Sequence, residues 1–312
     1  MSTAFVFPGQ GAQTIGMGRD LAEAYPAARA VFDEVDDALG EKLSALIWEG
    51  DIEALTLTEN AQPALMATSM AAMRALEAEG ISVSRASFVA GHSLGEYSAL
   101  CAAGVFTLAD TARLLRIRGR AMQSAVPVGQ GAMAAILGLS ADEVTALAAE
   151  AAQGEVCQLA NENDPTQNVI SGSKAAVERA IDMAKGKGAK RALLLPVSAP
   201  FHSSLMKPAA EKLKEKLANT SFATPLIPVV NNIDVSVESN ADRIRDALYR
   251  QAFGPVRWVE CVQAIKSRGI NTLVECGPGK VLAGMVKRID ADMTGLPLFD
   301  PASLAEVKGA LA

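Results

Sequence analysis

Residues 85–106 read RASFVAGHSLGEYSALCAAGVF, and the serine near the middle of this stretch decides the predicted fold. Residues 86–90 have the small and β-branched character of a short buried strand, and the residues after Gly95 have the composition of a helix. Ser93 therefore lies at a strand-to-helix corner, flanked by Gly91 and Gly95. A corner this sharp requires glycines because the neighbouring backbone leaves no room for a Cβ atom. The serine hydroxyl is predicted to face outward, at the positive end of the following helix.

A serine in this position is a candidate nucleophile. Its hydroxyl reacts poorly at neutral pH until a base takes the proton, and histidine is the usual base. The chain has two histidines. His92 is the immediate neighbour of Ser93, so its side chain leaves the backbone in a different direction. His202 is therefore the candidate base by elimination. The alternatives are a Gly-Ser turn without chemistry and a partly buried structural histidine.

Composition limits the remaining possibilities. The chain has 312 residues, of which 50% are hydrophobic, enough for a sizeable core in one large or two modest domains. A net charge of −6 argues against nucleic acid as a general partner. Charges interrupt every apolar run before it reaches membrane-spanning length, and Met1 leads directly into a predicted strand, so we expect a cytoplasmic protein with no membrane partner. Four cysteines without a C-x-x-C pair, together with two histidines, predict core thiols and no metal site.

Two glycine-rich loops resemble nucleotide-binding motifs without satisfying them. The loop at residues 9–11 reads GQG after a predicted strand, but Thr14 occupies the position where a dinucleotide fingerprint needs a small residue. The loop at residues 277–280 reads GPGK and lacks the glycine that a P-loop places five residues earlier. We interpret the second loop as a tight strand-to-helix turn.

The order of predicted elements indicates an α/β protein built from two parts. Residues 131–197 alternate between strand and helix patterns in the order β-α-β-β-α-β, which is the ferredoxin-like arrangement. We predict a large α/β-hydrolase-like domain with a parallel sheet, formed by residues 1–126 and 197–312. A small ferredoxin-like subdomain, residues 127–196, is inserted between these two parts.

One arginine is out of place on the helix predicted for TLADTARLLRIRGRAMQ, residues 107–123. At 100° per residue, Arg113, Arg116 and Arg120 share a face opposite the apolar stripe, whereas Arg118 lies at the edge of that stripe. A buried guanidinium is costly unless it meets a carboxylate or a phosphate. Arg118 therefore binds an anionic ligand, pairs with an internal carboxylate, or extends to the surface.

Eight motifs follow one another along essentially the whole chain: FVFPGQGAQ, GHSLGEYSAL, RGRAMQ, GAMAAILGL, NVISGS, PFHSSLM, YRQAFGPVRW and ECGPGKVL. In this order and at this spacing they resemble the malonyl-CoA:acyl carrier protein transacylase family. These are acyltransferases of fatty acid synthesis related to the acyltransferase domains of polyketide synthases. Their ordered agreement is more specific than any single motif.

The resemblance implies roles for particular residues. Ser93 matches the serine that becomes acylated, and His202 matches the general base. Gln10 and Leu94 match the residues whose backbone amides form the oxyanion hole. Arg118 matches the arginine that pairs with the free carboxylate of the malonyl group.

Three further positions match the family with less direct roles. Gln251 matches a glutamine whose main-chain carbonyl orients the histidine, and Asn161 matches a substrate-side asparagine. Phe201 precedes the histidine as in malonyl-selective relatives. The resemblance implies transfer of malonyl from malonyl-CoA to the phosphopantetheine thiol of an acyl carrier protein, with ping-pong kinetics and no bound cofactor.

Alternative functions remain open at this point. A serine hydrolase or thioesterase would release the acyl group to water, a polyketide-pathway acyltransferase would use the same chemistry, and a non-catalytic binding protein would need the glycine corners only for packing. Carrier proteins of the family are acidic, so the resemblance also implies docking on a basic patch. Our candidates for that patch are Lys185, Lys187, Lys190 and Arg191.

Overall fold

The computed structural model describes residues 2–197 and 199–311. Its strands are β1 (Thr3–Phe7), β2 (Phe88–Gly91), β3 (Gly131–Leu137), β4 (Cys157–Asp164), β5 (Gln167–Ser173), β6 (Arg191–Leu194), β7 (Val229–Val230), β8 (Thr272–Cys276) and β9 (Thr294–Leu298). Its helices are α1 (Arg19–Ala24), α2 (Pro26–Leu39), α3 (Leu43–Glu49), α4 (Ile52–Thr56), α5 (Thr58–Ala78), α6 (Leu94–Ala102), α7 (Leu108–Ser124), α8 (Ala141–Ala152), α9 (Lys174–Gly186), α10 (Lys207–Ala218), α11 (Ala241–Gln251), α12 (Trp258–Lys266), α13 (Val281–Ile289) and α14 (Pro301–Leu311). Short 3₁₀ turns cover Val83–Arg85 and Ser204–Met206.

A parallel sheet forms the centre of the larger part, with the strand order β7-β2-β1-β8-β9. Strand β1 is buried on both faces: Phe5 and Phe7 pack into one hydrophobic cluster, and Ala4 and Val6 into another. Such a continuous apolar run is typical of a parallel strand covered by helices on both sides. Phe7 is paired with Gly91 at the carboxyl ends of β1 and β2. The GQG loop and the Ser93 corner therefore emerge side by side at the same edge of the sheet, where ligands bind in open α/β sheets.

The predicted strand-to-helix corner is present, although it is tighter than the sequence pattern indicated. The strand ends at Gly91 and the helix already begins at Leu94, because Ser93 turns the chain within one residue at φ 54° and ψ −110°. A Cβ atom on Gly91 would lie 1.9 Å from the carbonyl carbon of Gly95, and one on Gly95 would lie 2.2 Å from the carbonyl oxygen of Phe7. Both glycines are required by these close approaches.

A separate antiparallel sheet has the strand order β4-β5-β3-β6. Its elements follow one another as β3-α8-β4-β5-α9-β6, as the alternation of patterns predicted. Helix α8 begins with a capping box formed by Ser140 and Glu143. One face of the sheet packs against α8 and α9 in a hydrophobic cluster of its own. The protein is thus a mixed α/β structure with a parallel and an antiparallel sheet.

Helix α7 corrects one prediction about the arginines. Arg113 and Arg120 are exposed as expected, whereas Arg116 is only 6% exposed and pairs with Glu41 and Asn60. The prediction for Arg116 was wrong because α7 is packed between α2, α5 and α10, so part of its polar face is also covered. A helical wheel shows which residues share a face, but it does not show how many neighbours surround the helix.

The remaining local predictions concern the second glycine loop, the cysteines and membrane spans. Gly277 (φ 143°) and Gly279 (φ 79°) form the turn between β8 and α13, as predicted. The four cysteines are free and buried. No helix in the described ranges is both long and apolar enough to cross a membrane.

Candidate active site

Ser93 and His202 are brought together although 109 positions separate them in the chain. The Oγ atom of Ser93 lies 2.7 Å from Nε2 of His202. On the other side of the imidazole ring, Nδ1 lies 3.0 Å from the carbonyl oxygen of Gln251 and 3.1 Å from that of Gly254. Carbonyl oxygens only accept hydrogen bonds, so Nδ1 carries the proton and Nε2 presents its lone pair to the serine hydroxyl. The pair is oriented for proton transfer from Ser93 to His202 without a carboxylate as the third member.

The environment keeps His202 neutral. Burial lowers the pKa of His202 to about 3, and the nearby charge of Arg118 acts in the same direction. The two backbone carbonyls that accept from Nδ1 oppose this shift. The side chain therefore remains in its basic form well below the ordinary histidine pKa, ready to accept a proton.

The backbone around Ser93 leaves two amide groups available for a negatively charged oxygen. The N–H of Ser93 donates to Asn232, and those of Gly95 and Glu96 donate to backbone carbonyls within the corner. Among the described residues, no acceptor is found for the N–H of Leu94, at the first position of α6, or for that of Gln10, in the neighbouring GQG loop. Helix N-termini with unpaired N–H groups stabilise anions.

Arg118 is buried next to the nucleophile, and the partners of its hydrogen bonds are neutral. Burial lowers the pKa of Arg118, although the more distant carboxyl group of Glu96 opposes this shift. It is 2% exposed, and its Nη2 lies 3.2 Å from Oγ of Ser93. Its guanidinium donates to the side-chain oxygens of Gln62 (2.9 Å) and Gln251 (3.1 Å), and it lies over the Tyr97 ring at 5.4 Å. Within the described residues Arg118 forms no ion pair, and its Nε atom has no partner. A guanidinium that neither reaches the surface nor meets a carboxylate is suited to bind an anionic ligand.

A cleft of about 530 Å³ joins these groups. Its lining includes seven of the eight predicted site residues, namely Gln10, Ser93, Leu94, Arg118, Asn161, Phe201 and His202. Asn161 lies on β4, so the antiparallel sheet contributes one wall of the cleft. A second cavity of about 620 Å³ shares Gln10, Pro196 and Val197 with the cleft and is also lined by Lys174.

Gln251, the eighth residue, lies behind the cleft and is fully buried. Its carbonyl contacts His202 as expected, but its side chain has a further role that the sequence did not indicate. The amide oxygen accepts from Arg118, and the amide nitrogen donates to the carbonyl of Ser93 at 2.9 Å and to Glu96 at 2.9 Å. One glutamine therefore contacts the serine, the histidine and the arginine.

Sequence reasoning missed four other contributors: Gln62, Glu96, Asn232 and the carbonyl of Gly254. Glu96 offered a signal, because an acidic residue in the first turn of an otherwise apolar helix must find a partner once it is buried. The others are amides or a backbone carbonyl, which carry no distinctive pattern. Within residues 2–197 and 199–311, no group of three or more His, Cys, Asp or Glu side chains is arranged to hold a metal ion.

The chain is similar to known proteins over almost its whole length. Residues 4–295 match the family model described as the acyl transferase domain. The malonyl CoA-acyl carrier protein transacylase of Escherichia coli K12 is 50% identical over 302 residues, which are 97% of each chain. The crystal structure of an acyl-carrier-protein S-malonyltransferase from Burkholderia pseudomallei 1710b is 54% identical, with a TM-score of 0.96 over 98% of this chain and 99% of that one.

A second similar structure is a malonyl-transacylase in complex with its type II PKS acyl-carrier protein. It is 47% identical, with a TM-score of 0.97 over 99% of this chain and all of that chain. Identity at this level over the full length accompanies the same arrangement of elements. The chain therefore belongs to the malonyl-CoA:acyl carrier protein transacylase family of acyl transferases.

Proposed function

We propose that this protein transfers a malonyl group from malonyl-CoA to the phosphopantetheine thiol of an acyl carrier protein, through an ester on Ser93, for fatty acid synthesis. The observation that carries the proposal is the buried Arg118 guanidinium, 3.2 Å from the serine Oγ and without an anionic partner among the described residues. A free carboxylate one carbon away from a thioester carbonyl suits this arrangement. The names of the relatives support the same donor and acceptor.

The first half-reaction forms the acyl-enzyme. His202 takes the proton of the Ser93 hydroxyl through Nε2 as Oγ attacks the thioester carbonyl carbon. The carbonyl oxygen becomes negatively charged and accepts from the backbone N–H groups of Gln10 and Leu94. Collapse of this intermediate breaks the carbon–sulfur bond, and the imidazolium of His202 returns its proton to the departing CoA thiolate.

The second half-reaction reverses these steps with a different thiol. The phosphopantetheine thiol of the carrier protein enters the same cleft and gives its proton to His202 as its sulfur attacks the ester carbonyl. The intermediate then expels the Ser93 oxygen, which recovers the proton from His202. One site serves both thiols in turn, so ping-pong kinetics follow. The protein residues complete both steps with no cofactor of their own.

The remaining site residues are proposed to shape substrate binding. Asn161 contributes a polar wall on the side of the antiparallel sheet, and Phe201, 8% exposed beside His202, limits the room for a branched acyl group. Gln251 orients His202 through its carbonyl and holds Arg118 through its side chain. These contacts keep the malonyl carboxylate and the thioester carbonyl in a fixed relation.

Intact-mass measurement distinguishes transfer from hydrolysis, the main rival function. With malonyl-CoA alone, a transacylase accumulates one malonyl adduct, and addition of carrier protein discharges it. A serine hydrolase or thioesterase would instead release free malonate continuously without any acceptor thiol. A non-catalytic binding protein would show no adduct under either condition.

Replacing Arg118 is expected to change acyl specificity. Arg118→Ala removes charge-assisted hydrogen bonds to the malonyl carboxylate, which contribute about 1.5–3 kcal/mol, so malonyl transfer should fall roughly ten- to a hundredfold. Acetyl transfer should hold or rise because acetyl makes no such contact. The measurement is kcat/KM for both donors. Arg116→Ala is the matched control, since Arg116 is a buried arginine of the same helix that pairs with Glu41. If kcat/KM fell by the same factor for both donors, Arg118 would have only a structural role.

The pH profile tests the electrostatics of His202. Its pKa is lowered first by burial and second by the charge of Arg118, so the acid limb of kcat/KM for acetyl-CoA should lie well below pH 6.5. Below this limb the imidazole is protonated and cannot act as the base. Arg118→Ala removes the second of these causes, which raises the pKa of His202, so the limb should move to higher pH. An unmoved limb would show that Arg118 does not act on His202.

We also propose the finer description of the architecture. The parallel sheet with a nucleophile at a strand-to-helix corner supports an α/β-hydrolase-like domain, residues 1–126 and 197–312. The strand order and connectivity of the antiparallel sheet support a ferredoxin-like subdomain at residues 127–196. The free cysteines support a cytoplasmic location.

The docking surface for the carrier protein stays a prediction. Of the four candidates in or near the small subdomain, Lys187 already pairs with Glu150 at 2.5 Å. Lys190 precedes the edge strand β6 and Arg191 begins it, and the chain after β6 reaches the cleft at Pro196 and Val197. The second cavity, which shares Gln10 with the cleft and is also lined by Lys174, is the path proposed for the phosphopantetheine arm.

A further inference from the structure

The backbone of Ser93 is held in a conformation that a serine rarely adopts. Its φ of 54° with ψ of −110° lies outside the favoured regions for a residue with a Cβ atom, and such a conformation persists only where the surroundings enforce it. The glycines at positions 91 and 95 permit the close approach of backbone segments, but they do not hold the serine itself. Other groups must therefore maintain this conformation.

The side-chain amide of Asn232 binds the backbone on both sides of the corner. Its Oδ1 accepts from the N–H of Ser93 at 2.8 Å, and its Nδ2 donates to the carbonyl of Gly91 at 2.7 Å. Asn232 is fully buried and lies two positions after β7, the strand next to β2 in the parallel sheet. Because an amide has a donor and an acceptor at a fixed separation, these two bonds set the distance and direction between Gly91 and Ser93.

Glu96 holds Asn232 in turn. Its Oε2 accepts from the backbone N–H of Asn232 at 3.0 Å and from the side-chain nitrogen of Gln251 at 2.9 Å. That nitrogen also donates to the carbonyl of Ser93 at 2.9 Å. Glu96 is 2% exposed, and burial raises its pKa to about 7, while the two N–H donors act in the opposite direction. Both backbone groups of Ser93 are therefore bound by amide side chains, and the two residues that supply them also donate to the buried carboxyl group of Glu96, Asn232 through its backbone N–H and Gln251 through its side chain.

We propose that Asn232, held in place by Glu96, is a positioning residue that keeps Ser93 in its reactive conformation. The hydrogen bonds of Asn232 keep Oγ of Ser93 directed at Nε2 of His202. Asn232 also occupies the N–H of Ser93, so that Leu94 and Gln10 remain as the donors to the developing oxyanion. The proposal rests on the proposed role of Ser93 as nucleophile, and it adds that the reactivity of this serine depends on an asparagine that does not line the cleft.

The adjacent asparagine supplies a matched control. Asn231 is also buried, and its amide also binds backbone at both ends: it donates to the carbonyl of Ser236 at 3.2 Å and accepts from the N–H of Asp234 at 2.8 Å. None of these partners is a site residue. Asn231→Ala therefore removes a comparable amide from the same segment without touching the nucleophile.

The test is the single-turnover acylation rate, measured with malonyl-CoA and with acetyl-CoA and divided by the concentration of sites that can be acylated. Asn232→Ala is expected to lower the maximal rate about ten- to a hundredfold, the effect typical of a misplaced reacting group. The factor should be the same for both donors, and KM for malonyl-CoA should change less than about threefold, because Arg118 is untouched. Asn231→Ala should leave the rate within about twofold.

Asn232→Asp is the second variant, and it keeps the size of the side chain. A neutral carboxylic acid can still donate to the Gly91 carbonyl, whereas a carboxylate cannot. The titratable groups in contact with Asn232 are Glu96, which accepts from its backbone N–H, and Cys261, whose thiol meets its side chain, while Arg257 contacts it through a backbone N–H. Relative to wild type, Asn232→Asp should acylate faster at pH 6 than at pH 8, whereas Asn231→Asp should show no such trend.

Two results would overturn the proposal. One is a maximal rate for Asn232→Ala within threefold of that for Asn231→Ala. The other, decisive if the alanine variant does not fold, is an acylation rate for Asn232→Asp that stays at the wild-type value at both pH values. Failure of the proposed function would look different, because the wild-type protein itself would then form no adduct on Ser93.

Discussion

Ser93→Ala is expected to abolish the covalent malonyl adduct completely. The serine Oγ, 2.7 Å from Nε2 of His202, is the only atom of this side chain that can form the ester, and alanine leaves nothing to acylate. Wild-type protein mixed with malonyl-CoA should gain one malonyl group by intact mass, and peptide mapping should place it on Ser93. The variant should show no gain, and transfer to carrier protein should fall to background.

Two observations sharpen this experiment. Ser203→Ala is the matched control, because Ser203 is a fully buried serine beside His202 that donates only to the carbonyl of Pro200, so its loss should leave the adduct intact. Cys101 is a rival nucleophile on the helix that follows the corner. Burial raises the pKa of Cys101 to about 11, so its thiol stays protonated and unreactive at neutral pH. An adduct of undiminished yield in Ser93→Ala, or one mapped to Cys101, would contradict the assignment.

His202→Ala is expected to slow both half-reactions by a hundredfold or more, which is the typical contribution of a positioned general base. The loss should appear in acylation by malonyl-CoA and equally in transfer to the carrier protein, because the same imidazole handles the proton of the serine and of the incoming thiol. Rapid-quench single turnovers measure each half separately. The affinity for malonyl-CoA should change little, since Arg118 and the backbone amides remain.

One control substitution and two contrary results test the role of His202 as the base. Ser203→Ala again serves as the neighbouring substitution, and it should keep both rates near wild type. If acylation slowed while transfer did not, another group would act as base for the carrier thiol. Unchanged rates in both halves would make His202 a buried structural histidine whose Nδ1 merely satisfies the carbonyls of Gln251 and Gly254.

The nucleophile corner could be predicted from sequence because its causes are local. A buried strand, two glycines around a serine and a following helix lie within some twenty residues, and the steric need for glycine is visible in the letters themselves. His202 was reached by a different route: with two histidines in the chain and one excluded by direction, a single candidate remained. The order of the antiparallel layer was likewise readable, because the hydrophobic period alternates between strand and helix along residues 131–194.

Only the tertiary structure decided how the site is held together. The orientation of His202 depends on the carbonyls of Gln251 and Gly254, and every residue has a carbonyl, so no residue type marks the ones that matter. Arg118 left three alternatives open until its neighbours were known, because burial without a counterion is a property of the packed environment. The prediction for Arg116 was wrong for the same reason, because the sequence does not show which helices pack around α7.

The contact between Asn232 and Ser93 shows most clearly what local sequence cannot determine. Asn232 lies 139 positions after the serine, and its neighbour Asn231 is the same residue type, is also buried and also binds backbone through its amide, yet only Asn232 contacts the nucleophile. Local sequence determines which conformations a segment can adopt, through sterics and hydrophobic period. Which distant amide meets which backbone group is decided only when the sheets and helices pack, because that meeting depends on distances between chain segments that local sequence does not encode.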